Sequence, residues 1–147
     1  RESIHLGRAK RVETALEQYQ AFCAATVPPS LRLDGLKIVI DCSHGAAYKV
    51  APRVLSDLGA EIVPIGCSPN GRNINDGCGS TRPELMQLTT RGVRADLGVA
   101  LDGDGDRVLM VDHEGRLVDG DQLLYILATA WQASGELRGP VVGTLMS

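Results

Sequence analysis

A β-branched run, a helical stretch and a second β-branched run follow one another between Lys37 and Ile65, and that succession leaves the chain little choice of fold. Lys37–Asp41 is short and rich in Ile and Val, the composition of a buried strand. Cys42, Ser43, His44 and Gly45 turn out of it. Over residues 46–58, Val50, Ala51, Val54, Leu55 and Leu58 recur on one helical face, and Gly59 supplies a C-terminal cap. Glu61–Ile65 is the next strand. Such a β-α-β unit joins two parallel strands by a right-handed crossover.

The rest of the chain extends the alternation. Residues 8–26 carry Val12, Ala15, Leu16, Tyr19, Phe22 and Cys23 at helical spacing, and Pro28 and Pro29 stop that helix. Residues 66–81 are Gly, Asn and Ser punctuation and read as a long loop. Thr81 is expected to cap a helix with Pro83 and Glu84 in its first turn, reaching about Arg94. Residues 96–101 form a third strand, and Val108–Asp112 pairs with residues 116–118 in a hairpin about His113, Glu114 and Gly115. Gly120 to Ser134 is a helix capped by Asp119, with Leu123, Leu124, Leu127 and Trp131 facing inward, and residues 141–146 read as a buried strand.

The fold class is therefore α/β, an open mixed, mostly parallel sheet with flanking helices, truncated at both ends. Residues 1–30 are expected to be a linker helix from a preceding domain, 31–117 an α/β domain and 118–147 the incomplete start of a following α/β domain. A first residue other than Met, and a last one just beyond an apolar run, read as a piece of a longer protein.

Composition narrows the partners. A net charge of −3 argues against nucleic acid or an anionic membrane surface, both of which attract a basic face. Aromatic residues are 3% of the chain, too few for a base-stacking platform. No apolar run reaches the roughly 18 residues of a membrane span, and the charged N-terminus is not a signal peptide. Cys23, Cys42, Cys67 and Cys78 form no Cys-x-x-Cys pair and read as reduced thiols of a cytoplasmic protein.

The chemistry concentrates in Asp102, Gly103, Asp104, Gly105, Asp106 and Arg107, directly after an apolar strand. Glycine at alternate positions lets the backbone turn, so the three carboxylates are expected to converge. Converging carboxylates need a cation, and hard oxygen donors suit Mg²⁺ or Ca²⁺. Open α/β sheets place their ligands at this end of a strand. An EF-hand loop fails, because its sixth and twelfth positions would be Arg107 and His113. The haloacid-dehalogenase phosphatase pattern fits from Asp102 to Gly105 and then meets Asp106; it also needs a downstream lysine, and Lys49 is the last in the chain.

Other polar residues read plainly. Ser43, His44 and Gly45 are a backbone turn, His5 and His113 are surface or turn residues, and Lys10 and Arg11 lie on a solvated helix face. Asp119 and Asp121 belong to helix capping.

The aspartate loop, with residues 6–10, 37–42, 68–75, 110–115, 118–122 and 143–147, resembles the α-D-phosphohexomutase family, and within it the bacterial branch acting on glucosamine phosphate. The resemblance spans nearly the whole chain. It implies a reversible shift of phosphate between O6 and O1 of a hexosamine phosphate, through a bisphosphorylated sugar and an enzyme phosphoserine, with Mg²⁺ as cofactor. Asp102, Asp104 and Asp106 match the family's metal ligands residue by residue, and Arg107 is implied to meet the phosphoryl oxygens. The family's serine, sugar-specificity and C-terminal phosphate-binding loops have no counterpart in this chain, so the piece alone is expected to be inactive. A phosphomannomutase or phosphoglucomutase of the same superfamily and a non-catalytic metal-binding module stand as alternatives. The oligomeric state stays open.

Overall fold

A computed structural model of the chain describes residues 9–144. His5, part of the 6–10 run and the last residues of the expected terminal strand lie outside the described residues. The elements are α1 (Ala15–Ala25), β1 (Lys37–Asp41), a 3₁₀ turn (Ala46–Tyr48), α2 (Val50–Asp57), β2 (Glu61–Ile65), α3 (Glu84–Gly92), β3 (Leu97–Leu101), β4 (Val108–Asp112), β5 (Leu117–Val118) and α4 (Gly120–Ser134).

The five strands form one sheet in the order β2-β1-β3-β4-β5. β1 pairs parallel with β2 and with β3, while β3–β4 and β4–β5 are antiparallel. The sheet is mixed as the alternation predicts, with its pairings evenly divided between the two kinds. The third and fourth strands are too close in sequence for a crossover, so they must turn back on each other.

β1 sits at the centre of the parallel half and is buried from Ile38 to Asp41, which is why it reads as an unbroken apolar run. Its alternate residues serve opposite faces. Val39, with Ala100 of β3 and Val111 of β4, packs against Met86 of α3. Ile40, with Val99 and Leu101, lines a cavity on the other face together with Val50, Val54 and Leu55 of α2. The two helices thus cover opposite faces. Gly98 lets α3 come close: a β-carbon there would sit 2.5 Å from Thr90 Oγ1 and 2.9 Å from Met86 Cγ.

α2 ends as its sequence requires. Gly59 takes φ +107°, its N–H donates to Ser56 O (2.9 Å), and the Ala60 N–H donates to Leu55 O (3.2 Å). This paired arrangement satisfies the last carbonyls of the helix. α4 begins with a reciprocal cap, Asp119 Oδ1 accepting from Gln122 N–H and Gln122 Oε1 accepting from Asp119 N–H.

Four expectations need correction. Thr81 does not cap α3, which starts from Pro83 without a side-chain cap and stops at Gly92, short of Arg94. α1 starts only at Ala15 and buries none of its residues; Tyr19 and Phe22 stack on each other at 6.2 Å with more than half their surface exposed. α4 has the predicted bounds, yet Leu127 and Trp131 of its apolar stripe stay about half exposed. No strand forms over residues 141–144. For the two helices and the terminal run, the pattern marks an apolar face but says nothing about what covers it; at α3, capping chemistry in the sequence does not fix where the chain enters the helix. Among the described residues, no helix is long and apolar enough to cross a membrane.

Candidate functional site

β1, β2 and β3 run the same way, so the segments leaving their carboxyl ends share one edge of the sheet. The chain leaves β1 to build β2 on one side and returns to build β3 on the other. The gap between the ends of β1 and β3 is therefore the topological switch point, where open α/β sheets bind ligands. Residues 42–46 and 102–107 meet there, with the 66–80 loop beside them.

Backbone-to-backbone packing joins these segments. A β-carbon on Gly45 would lie 2.3 Å from Gly103 O, and the Ala46 N–H donates to that same oxygen at 2.9 Å. Gly103 in turn leaves no room on its other side, since a β-carbon there would meet Ile74 Cδ1 at 2.6 Å and Asn75 Nδ2 at 2.9 Å. Asn75 N–H donates to Ser43 O at 2.9 Å.

Beneath the loops lies Asp41, wholly buried. Its Oδ1 accepts the Ser43 N–H at 2.9 Å and its Oδ2 accepts the Gly79 N–H at 2.7 Å. One carboxylate thus ties the turn after β1 to the end of the long loop. Ser43 and His44 both adopt positive φ, 53° and 52°, an uncommon conformation for residues with a β-carbon. The Ser43 hydroxyl is buried and donates to Leu101 O, the last carbonyl before the aspartate loop. Ser43 is accordingly a turn residue, as its sequence context predicts, with its hydroxyl committed to the backbone. His44 Nδ1 accepts from Ser68 N–H at 3.0 Å, so its proton sits on Nε2.

Residues 102–107 connect β3 to β4 as a hairpin loop. Asp102 N–H donates to Arg107 O (3.3 Å) and Gly105 N–H to Asp102 O (3.0 Å), with Gly105 at φ +73°. The Asp102 side chain turns inward, and the residue is buried. Its Oδ1 accepts from the Asp106 and Arg107 amides, each at 3.1 Å. Its Oδ2 accepts from Arg107 Nε (3.1 Å) and Nη2 (3.0 Å). Burial pushes the Asp102 carboxyl up, but the Arg107 and Asp106 hydrogen bonds and the Arg107 charge outweigh it, leaving the group below its ordinary value.

Asp104 and Asp106 stay exposed. The expected convergence of the three carboxylates is thus not seen, and among the described residues no three His, Cys, Asp or Glu side chains gather where a metal could sit. The reason is local: Arg107 and two loop amides already satisfy Asp102. The donor set still suits a hard divalent cation in kind, three carboxylates within one loop, and the guanidinium on Asp102 Oδ2 shows that a positive charge is accommodated at that oxygen.

Asp41 was legible as the last residue of a β-branched strand, but nothing in its spacing distinguished it from a strand-end carboxylate facing solvent. The Gly45–Gly103 approach had no signal in sequence. His113 lies at the β4–β5 turn with its Nε2 3.9 Å from Glu114 Oε1, in line with a turn residue. All four cysteines are free, Cys42 and Cys78 buried, Cys23 and Cys67 half-buried.

The chain has relatives among known proteins. Residues 16–115 match the phosphoglucomutase/phosphomannomutase α/β/α domain II, and the chain belongs to that family. Within the family, its resemblance to bacterial phosphoglucosamine mutases holds over nearly its full length. It is 55% identical over 145 residues to the phosphoglucosamine mutase of Chromobacterium violaceum and 57% identical over 146 residues to that of Xylella fastidiosa. Each match covers 99% of this chain and 33% of the relative, so the chain spans about a third of their length. A crystal structure of a phosphoglucomutase/phosphomannomutase family protein from Burkholderia thailandensis superposes with a TM-score of 0.64 at 27% identity, covering 81% of this chain and 26% of the other.

Proposed function

We propose that the chain supplies the metal-loop domain of a phosphoglucosamine mutase, which interconverts glucosamine 6-phosphate and glucosamine 1-phosphate through a phosphoserine and a bisphosphorylated sugar. The observation that carries this reading is the position of Asp102, Asp104, Asp106 and Arg107 in one hairpin at the β1/β3 switch point, in a chain 55% identical to a protein of that name. Mg²⁺ held by Asp102, Asp104 and Asp106 would neutralise charge on a phosphoryl group in transfer. Arg107, with most of its side chain exposed, presents a fork of N–H donors that matches phosphoryl oxygens. The packed turn at residues 42–46 holds the hairpin against the sheet, so these groups meet their substrate from a fixed support. The serine and the sugar-binding groups come from outside this chain, residues from 118 onward opening the next domain. The protein works in the cytoplasm on a small anionic sugar, without nucleic acid or membrane as partner.

The test is a mutase assay on the full-length protein with glucosamine 6-phosphate, with and without Mg²⁺ and a sugar bisphosphate primer, beside mannose 6-phosphate and glucose 6-phosphate. Mg²⁺-dependent turnover of the amino sugar, abolished by Asp104→Asn, is expected. Preference for a neutral sugar would instead fit the phosphomannomutase or phosphoglucomutase activity in the family's name, and release of free phosphate would overturn a mutase.

A further inference from the structure

Arg107 is bonded to the very carboxylate that the metal reading needs. Asp102 Oδ1 is taken by two backbone amides that cannot leave without unfolding the hairpin. Among the described residues, Asp102 Oδ2 bonds to the guanidinium alone, through Nε and Nη2 at 3.1 and 3.0 Å. Oδ2 is therefore the atom free to accept a different cation, and Arg107 is what stands there. Sharing it is unfavourable, because a dication and a guanidinium on one oxygen repel each other at such short range. Among the described residues, the other acidic neighbour of Arg107 is Asp106 Oδ1 at 3.7 Å, and the Arg107 side chain is 69% exposed while that of Asp102 is 3% exposed. The guanidinium can swing into solvent while the carboxylate stays in place.

We propose that Arg107 is a built-in competitor for the divalent cation at Asp102: it neutralises the buried carboxylate until a cation replaces it, and its release is thereby coupled to metal binding. The inference rests on the metal role assigned above to the aspartate loop. It adds that one residue serves two partners in turn, first Asp102 and then the phosphoryl group, so the guanidinium is freed only when the loop carries its cation.

The experiment is a Mn²⁺ titration of the full-length protein followed by electron paramagnetic resonance, with Arg107→Gln and Arg107→Lys beside the unmodified protein, and thermal melts of each without metal. If Arg107 competes, Arg107→Gln binds Mn²⁺ more tightly by on the order of tenfold, the scale of one charge-assisted hydrogen-bonded pair. Arg107→Lys, which keeps a charge without the two-pronged grip, falls between. Without metal, Arg107→Gln melts lower, because Asp102 loses its cation. Unchanged or weaker Mn²⁺ binding by the Gln variant, with the unmodified chain binding normally, overturns the competition alone. Absence of binding by all three proteins overturns the metal site as well.

Discussion

Gly45 and Gly103 touch backbone to backbone: a β-carbon added to Gly45 would stand 2.3 Å from the Gly103 carbonyl oxygen and 2.6 Å from its Cα. This contact sets the turn after the central strand directly against the aspartate hairpin. Because both partners are main chain, neither can step aside as a side chain would. Gly45→Ala should therefore cost about 2–3 kcal/mol, the upper part of the range for overpacked sites, and lower the melting temperature by about 5–10 °C. Calorimetry checks it; an unchanged melt would mean that the loops are not in contact.

Met86 is wholly buried against Val39, Ala100 and Val111. Truncation there leaves a cavity on the α3 side of the sheet, and Met86→Ala should lose about 2–5 kcal/mol. Leu88, on the same helix but 66% exposed, should change by no more than about 0.5 kcal/mol as alanine. Urea unfolding of the two variants tests the assigned faces of α3, since a rotated helix would reverse their order.

Asp41 accepts one amide on each oxygen. In Asp41→Asn the new amide group must turn its own N–H donors toward Ser43 N–H or Gly79 N–H. A loss of about 3 kcal/mol is expected, within the range for charged hydrogen bonds. Faster hydrogen exchange at Ser43 and Gly79 should accompany it, whereas a uniform change across the sheet would contradict the local tie.

Asp112 gives a pH dependence with a definite sign. Its carboxyl is held below the ordinary value by the Arg116 amide and then the Arg116 side chain, outweighing desolvation, with further help from the Glu114 amide and the Arg116 charge. A folded value depressed below the unfolded one, near 3.9, stabilises the fold above about pH 4. That stability is lost as pH falls through the folded value. Melting temperatures of the unmodified chain and Asp112→Asn should differ above about pH 4 and approach each other in more acid solution. A gap that stays constant across this window would rule the linkage out.

Much of the fold was legible because it rests on neighbours in the chain. The bounds of β1, β2, β4 and α4 follow from β-branched runs, from the Gly59 cap and from the Asp119 cap. The position of the aspartate loop at the end of β3 follows in the same way, since a run such as residues 97–101 must be a strand and the glycines after it must turn. Capping was less legible at α3, where Thr81 had the right chemistry but the chain enters the helix from Pro83. The apolar stripes of α1 and α4 were visible as stripes, while their exposure was not, because a period of 3.6 defines a face without naming its partner.

The residue pattern settled which segments become strands, which turns need glycine, and that three carboxylates and an arginine share one loop. Spacing along a chain is enough for that, since these choices depend on groups a few residues apart. The tertiary structure alone decided that β3 lies beside β1 on the side away from β2, that Gly45 meets Gly103, and that Asp41 ties two loops together. It also decided that Asp102 turns inward to Arg107 while Asp104 and Asp106 stay in solvent. Those outcomes need the backbone path of distant segments at once, and no local pattern carries it: a carboxylate faces whatever donors the completed fold brings within about 3 Å.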